Sequence, residues 1–259
     1  MQEHQEPIQE YWDKQNKIFA AIKQKGGVAA YVKSLENAAQ FFSSTNHEVC
    51  CIDERTTAGV IHFAGSGILD QARALGNMRE AKAAGVYSHK GCGAADLAFL
   101  RLSEKEKQIY GSAEEYAKWW AKELAAQLGV EYKGHLEAAP EFHIARVVYY
   151  DGTGKFNPSR SSDFPPGFVI SRKYLSDSSY AKEELAIAMG IAFGDHGFGK
   201  DRFSESEPFL IIPIGDANDS RFSLEALSEE AKDVVKKLTE QYKNKVRIEG
   251  FRAPTEAAQ

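Results

Sequence analysis

Short apolar, β-branched segments alternate along this chain with longer amphipathic runs, and that alternation restricts the fold more than any other feature. The segments at 47–52, 60–63, 86–88, 142–150, 168–170 and 209–214 have strand length, and Gly, Asp, Asn or Ser flanks most of them. The runs at 7–25, 28–42, 91–100, 112–128, 179–193 and 223–243 repeat apolar residues at helical spacing. A further helix opens at the glycine turn 64–67 and runs to about residue 84. Strands separated by helices need crossover connections. The order therefore predicts an α/β protein, a mainly parallel sheet flanked by helices, with two helices ahead of the first strand. Asp151-Gly152 reads as a hairpin-type turn, and the Ser- and Pro-rich stretch 157–167 as a loop or boundary. The expected organisation is a core at 1–156 and a C-terminal α/β extension at 157–259 packed on it.

Composition narrows the class. With 259 residues, 43% of them hydrophobic, the chain can bury a core without disulfide staples. A net charge of −5 gives no global attraction to nucleic acid or to an anionic membrane. No apolar stretch approaches the ~20 residues of a spanning helix, and the polar N-terminus lacks a secretory h-region. A cytoplasmic protein with reduced thiols is the expectation. The cysteines are Cys50, Cys51 and Cys92, an odd and sparse set that is no disulfide scaffold. They are free for metal, for catalysis, or as inert core residues.

Two clusters carry the chemistry. Cys50-Cys51-Ile52-Asp53-Glu54-Arg55 and Ser88-His89-Lys90-Gly91-Cys92-Gly93 each follow a predicted strand. Ligands of open α/β sheets bind at the carboxyl ends of strands, so the two clusters are expected to share a crevice. Cys51, His89 and Cys92 supply two thiolates and an imidazole, a soft set that favours zinc. Three protein ligands leave a fourth position open, the pattern of catalytic zinc, where bound water reaches a pKa of about 7. Asp53 could accept a hydrogen bond from that water or close the site itself, and Arg55 could hold Asp53 bidentately. A cysteine nucleophile paired with His89 is the alternative chemistry. Cys50 reads as a small buried hydrophobe, and as the strand neighbour of Cys51 it points to the opposite face and does not close the site as a fourth ligand.

Taken together, these motifs resemble the paired C-x-D-x-R and H-x-x-C signature of the β-class carbonic anhydrases. Phe63-Ala64-Gly65-Ser66-Gly67-Ile68 is similar to that family's Asn-Ala-Gly-Asn segment, with His62-Phe63 where the family has Arg-Asn. Val147–Lys155, as residues 147–155, is similar to the family's last core strand and turn. The helical N-terminus fits too, so the resemblance covers about residues 1–156.

The resemblance implies one zinc ion per chain held by Cys51, His89 and Cys92, with Asp53 and Arg55 as the catalytic dyad. Ala64, Gly65 and Ser66 would let backbone approach the substrate closely. It implies reversible hydration of carbon dioxide to bicarbonate and a proton, and a homodimer or higher homo-oligomer. Hydrolysis of carbon disulfide or carbonyl sulfide on the same scaffold, or a catalytically silent zinc module, are the alternatives. The loop Gly194-Asp195-His196-Gly197-Phe198-Gly199-Lys200-Asp201 nearly matches a phosphate-binding loop. Asp201 stands where Ser or Thr is needed, however, and the run before it is helical. It reads as a glycine turn, with His196 a loop histidine or a proton shuttle.

Overall fold

The computed structural model describes residues 5–56, 59–175, 177–194 and 197–254. Its first half runs α1 (Gln5–Gln24), α2 (Val28–Lys33), β1 (Glu48–Cys50), β2 (Ile61–His62), α3 (Gln71–Glu80), β3 (Gly85–His89) and α4 (Gly93–Leu100). Then come α5 (Glu104–Tyr110), α6 (Ala113–Leu128), β4 (Glu131–Leu136), β5 (Val147–Asp151), β6 (Gly167–Ile170) and α7 (Ser178–Ala192). The chain continues with α8 (Gly199–Arg202), β7 (Phe209–Gly215), α9 (Leu224–Val235), α10 (Glu240–Lys243), β8 (Val246–Ile248) and β9 (Phe251–Arg252).

The strands form two parallel sheets flanked by helices, the α/β architecture expected. The first has the order β2-β1-β3-β4 and the second β6-β5-β7-β8, with β9 also paired to β7. Their edges meet where β6 ends. Val169 N–H donates to Ile52 O at 2.9 Å, Ser171 Oγ donates to Val60 O at 2.7 Å, and His62 N–H donates to Ser171 Oγ at 2.9 Å. Buried apolar side chains from both sheets belong to one cluster that runs from Val49 and Val86 to Val148 and Ile211.

The helices begin and end where local chemistry dictates. Ser112 caps α6 by accepting from Glu115 N–H, and Gly129 closes it in the left-handed conformation at φ 70°. Between these ends α6 buries Tyr116, Trp120, Leu124 and their small neighbours against the first sheet. Burying a side chain such as Leu124 contributes about 1.5–3 kcal/mol.

Several expectations are corrected. Residues 147–155 are not the last strand of the N-terminal core. β5 lies in the middle of the second sheet between β6 and β7, and all five of its residues are buried. An apolar run buried on both faces belongs at the centre of a parallel sheet. Because β5 and β6 pair across residue 157, a division into 1–156 and 157–259 cuts through a sheet. Asp151-Gly152 is likewise no hairpin, since β5 runs parallel to both neighbours. The buried Asp151 carboxylate instead accepts from Thr153 N–H, Thr153 Oγ1 and Phe156 N–H. The edge of the first sheet beside β3 goes to β4, whose sequence EYKGHL alternates polar residues with Tyr132, Gly134 and Leu136 but carries no β-branched residue and a glycine inside the strand.

Two helices are shorter than their spacing suggests. The run 28–42 stops at Ser34 and resumes as a 3₁₀ turn at Ala38–Phe42, which lets adjacent Phe41 and Phe42 both bury. Phe41 packs on Phe156 and Phe164, and Phe42 on Phe156 and Phe251. The run 223–243 breaks after α9, and extended Thr239 starts α10. Among the described residues no helix is long and apolar enough to cross a membrane.

Candidate metal centre

The two sequence clusters meet at the carboxyl ends of β1 and β3, adjacent strands of the first sheet. Cys51 follows β1, His89 ends β3, and Cys92 immediately precedes α4. All three side chains are buried, and their donor atoms lie within 4.8 Å of one another. The structure therefore holds a Cys-His-Cys group positioned to bind a metal ion. Its geometry fits one. Cys51 Sγ and Cys92 Sγ are 3.9 Å apart, and two thiolates at 2.3 Å from one tetrahedral ion stand about 3.8 Å apart. His89 Nδ1 lies 2.9 Å from Lys90 O, so Nδ1–H donates there and fixes the tautomer. His89 Nε2 is buried and makes no hydrogen bond. Burial alone would lower the imidazole, but the neighbouring Cys51 and Asp53 outweigh it and raise the group to about 9, so a cation at the sulfurs would take the place of its proton. Burial and the neighbouring Cys92 push the Cys51 thiol well up, so its thiolate needs a cation beside it.

A glycine turn supports the sulfur. Ala64–Gly67 is a short 3₁₀ segment in which Gly65 and Ser66 are left-handed, at φ 56° and 54°. Gly65 N–H donates to Cys51 Sγ at 3.1 Å. A Cβ on Gly65 would stand 2.7 Å from Ile68 Cγ2 and 3.0 Å from Ala94 Cβ, so both conformation and space require glycine. Left-handed Ser66 is strained, and contacts on both sides hold it. Its Oγ donates to Tyr87 O at 2.9 Å, and Trp120 Nε1 donates to its carbonyl at 3.0 Å. Of the three expected pocket residues, Gly65 therefore reaches the sulfurs. Buried Ala64 and Ser66 spend their polar groups on the scaffold. His62 and Phe63 are fully buried as well, His62 Nδ1 lying 2.7 Å from Cys51 O and Phe63 packing on Tyr180.

Asp53 and Arg55 form the expected bidentate pair. Arg55 Nε donates to Asp53 Oδ1 at 2.8 Å and Nη2 to Oδ2 at 2.6 Å, and both side chains are buried. Burial alone would raise the Asp53 carboxyl. The Arg55 fork, followed by His143 and His89, overcomes it and holds the group down to about 2. Asp53 Oδ2 is 3.9 Å from His89 Nδ1, which places the carboxylate beside the metal group and turned toward Arg55.

The sequence reading missed three buried polar residues here. Glu54 Oε1 accepts from Ile144 N–H at 2.7 Å and its Oε2 lies 3.1 Å from His143 Nδ1. His143 Nδ1 is also 3.8 Å from Asp53 Oδ2, and Arg55 Nη1 donates to Pro140 O at 2.8 Å. The 140–144 segment is thus stapled to the 53–55 loop. A lone histidine in the apolar run 142–150 was the available signal. The third residue is Glu184 on α7, whose Oε2 accepts from Ala64 N–H at 2.6 Å. It sits on a helix face otherwise made of Tyr180, Ala181, Leu185, Ala188 and Met189, and one charged residue on an apolar stripe was its signal. Residues far along the chain from the cysteines therefore hold the turn that hydrogen-bonds Cys51. His196 and Asp195 lie outside the described residues. Of their loop, Gly197 bridges to His143 and α8 follows, with helix α7 rather than a strand ahead of it.

Glu184 makes a pH prediction. Burial lifts its carboxyl from 4.5 to about 8 despite the bond from Ala64. Between those values the folded protein keeps a proton that the unfolded chain has lost. Stability therefore falls as pH rises through this window, by about 1.4 kcal/mol per unit, and levels off above it. Glu184→Gln keeps an acceptor for Ala64 N–H and should flatten that slope in urea titrations between about pH 5 and 8. A wild-type slope in the variant would assign the pH dependence to other groups.

No protein-family model, curated protein or solved structure matches this chain.

Proposed function

We propose that this protein is a zinc-dependent hydratase of the β-carbonic-anhydrase type, converting carbon dioxide reversibly to bicarbonate and a proton. One observation carries the reading. A buried Cys51–His89–Cys92 donor set lies next to an ionised carboxylate, Asp53, that Arg55 holds bidentately. Two thiolates and an imidazole suit zinc and leave a fourth position free. When bound, zinc would lower the pKa of a water to about 7 and so supply a nucleophile at neutral pH.

The chain's own residues do the rest. An ionised Asp53 can only accept hydrogen bonds, so it orients an adjacent O–H and leaves that oxygen's lone pair turned toward substrate. Arg55 fixes both carboxylate oxygens and keeps the proton off Asp53. His89 is held by Lys90 O in the tautomer that offers Nε2. Gly65 has no side chain, which lets its N–H come within 3.1 Å of Cys51 Sγ where a Cβ would clash with Ile68 and Ala94. A silent module would use Asp53 as the fourth donor. Its commitment to Arg55 favours the enzyme. Carbon disulfide and carbonyl sulfide are the linear analogues the same residues would serve, and the homo-oligomer and cytoplasmic setting expected from the sequence go with this reading.

Stopped-flow hydration of carbon dioxide by the zinc-loaded protein tests it. Fast turnover is expected, absent in His89→Ala. Protein carrying one zinc per chain without turnover on carbon dioxide would overturn the hydratase reading, and carbon disulfide and carbonyl sulfide would then be the substrates to assay.

A further inference from the structure

We propose that the cleft between α1 and the β7–β8 side of the second sheet is a binding site for a small organic oxyanion, a carboxylate or a phosphate, that pairs with Arg146. The cleft measures about 820 Å³. Small-molecule sites span about 300–1,000 Å³. It is distinct from the metal centre, and the proposal does not depend on the zinc reading.

Arg146 directly precedes β5 and is 1% exposed. Its guanidinium carbon lies over two rings of α1, 3.6 Å from the Trp12 centroid and 3.9 Å from that of Phe19. Rings packed this close offer no hydrogen-bond acceptor in their plane, so its N–H donors must be met by other groups. Nη1 donates to Asn16 Oδ1 at 2.6 Å. Nε is buried and has no partner. The Glu207 carboxylate stands off at 4.0 Å from Nη2 and is half-exposed. A guanidinium carries five donors and a charge, and buried ones are kept only when paired. Burial pulls this one down to about 10, the direction expected of a cation short of counter-charge.

The stack by itself pins α1 to the body of the protein. A methionine would pin it equally well without burying a charge. The charge requires a partner, and the cleft that Arg146 lines is where one fits. Lys23, exposed and one helical turn beyond Phe19, lines the same cleft as a second cation. Arg247, also on the wall, is already paired with Glu249 at 3.5 Å. A carboxylate or a phosphate meets an arginine edge through two parallel N–H···O bonds, which explains an arginine here rather than a lysine.

Thermal unfolding of the full chain in phosphate or in citrate, against chloride at equal ionic strength, tests the site. The two anions separate a phosphate ligand from a carboxylate one. A saturable rise in Tm of roughly 3–5 °C is expected at about ten times Kd with at least one of them. Half-saturation should move up at least about tenfold in Arg146→Lys, which keeps the charge and loses the fork. It should move up in Lys23→Ala too, where an exposed side chain is removed and the fold is untouched. No rise beyond that in chloride with either anion overturns the proposal, as does an Arg146→Lys protein with the wild-type half-saturation. If Arg146→Lys does not fold, a Lys23→Ala protein that keeps the wild-type half-saturation overturns it.

Discussion

His89→Ala is expected to lose its metal, with affinity down by at least about a hundredfold. Even groups that only orient a ligand cost 10–100-fold when removed, and His89 is a donor itself. Its imidazole is the only nitrogen donor of the group, and its Nε2 has no other partner to release it from. What remains is two buried sulfurs 3.9 Å apart, one of them raised toward the neutral thiol by burial. Two donors do not hold a divalent ion against a chelator of ordinary strength. Metal content after dialysis, and the thiolate charge-transfer band of the cobalt-substituted protein, measure this independently of any activity. Far-ultraviolet circular dichroism should be unchanged, because Ser88 and the β3 ladder remain. A His89→Ala protein that keeps one ion per chain with wild-type affinity would remove His89 from the site.

The second large effect separates holding the metal from using it. Asp53→Asn should keep the ion and lower turnover by about 10²–10⁴-fold, the range for loss of a positioned proton acceptor. The amide is isosteric and still offers one oxygen to Arg55. It has no charge, and its NH₂ turns a donor toward the position where Asp53 accepts. Asp53→Ala is the poorer variant for kinetics. It leaves the Arg55 guanidinium buried without a counter-ion, at a cost of about 3–5 kcal/mol. Chemical denaturation of the two variants should rank them in that order, with Asn the milder. A zinc-replete Asp53→Asn protein that hydrates carbon dioxide at the wild-type rate would end the assignment of Asp53.

Both expectations use residues that were readable before any fold was known. A cysteine two residues from an aspartate and four from an arginine, each set after a short apolar segment, implies a strand end that presents donors. The second cluster repeats the arrangement. Local chemistry is enough for this, since strand length, the following turn and the donor types are all encoded within a few residues. The 3₁₀ turn at Ala64–Gly67 belongs to the same class, because two glycines in four residues announce left-handed backbone.

The support of the site was not readable in this way. Glu54, His143 and Glu184 are buried polar residues whose partners are 89, 90 and 120 positions distant. No local pattern distinguishes a glutamate that will face solvent from one that will accept a buried N–H. Only the stripe on α7 hinted at Glu184, and nothing in it named Ala64 as the partner.

The sequence by itself determined the class of fold and the donor set. Alternating periods of strand and helix force parallel crossovers, and metal chemistry selects Cys, His and Asp at short spacing. Tertiary structure alone decided where β5 belongs and which strand closes the first sheet. Both places depend on which faces are covered on folding. Residues 147–150 of β5 are apolar or aromatic and go where two faces are buried, while Glu131–Leu136 is mostly polar and goes to an edge. Sheet order is a property of packing between distant segments, and distant packing leaves no period in the chain.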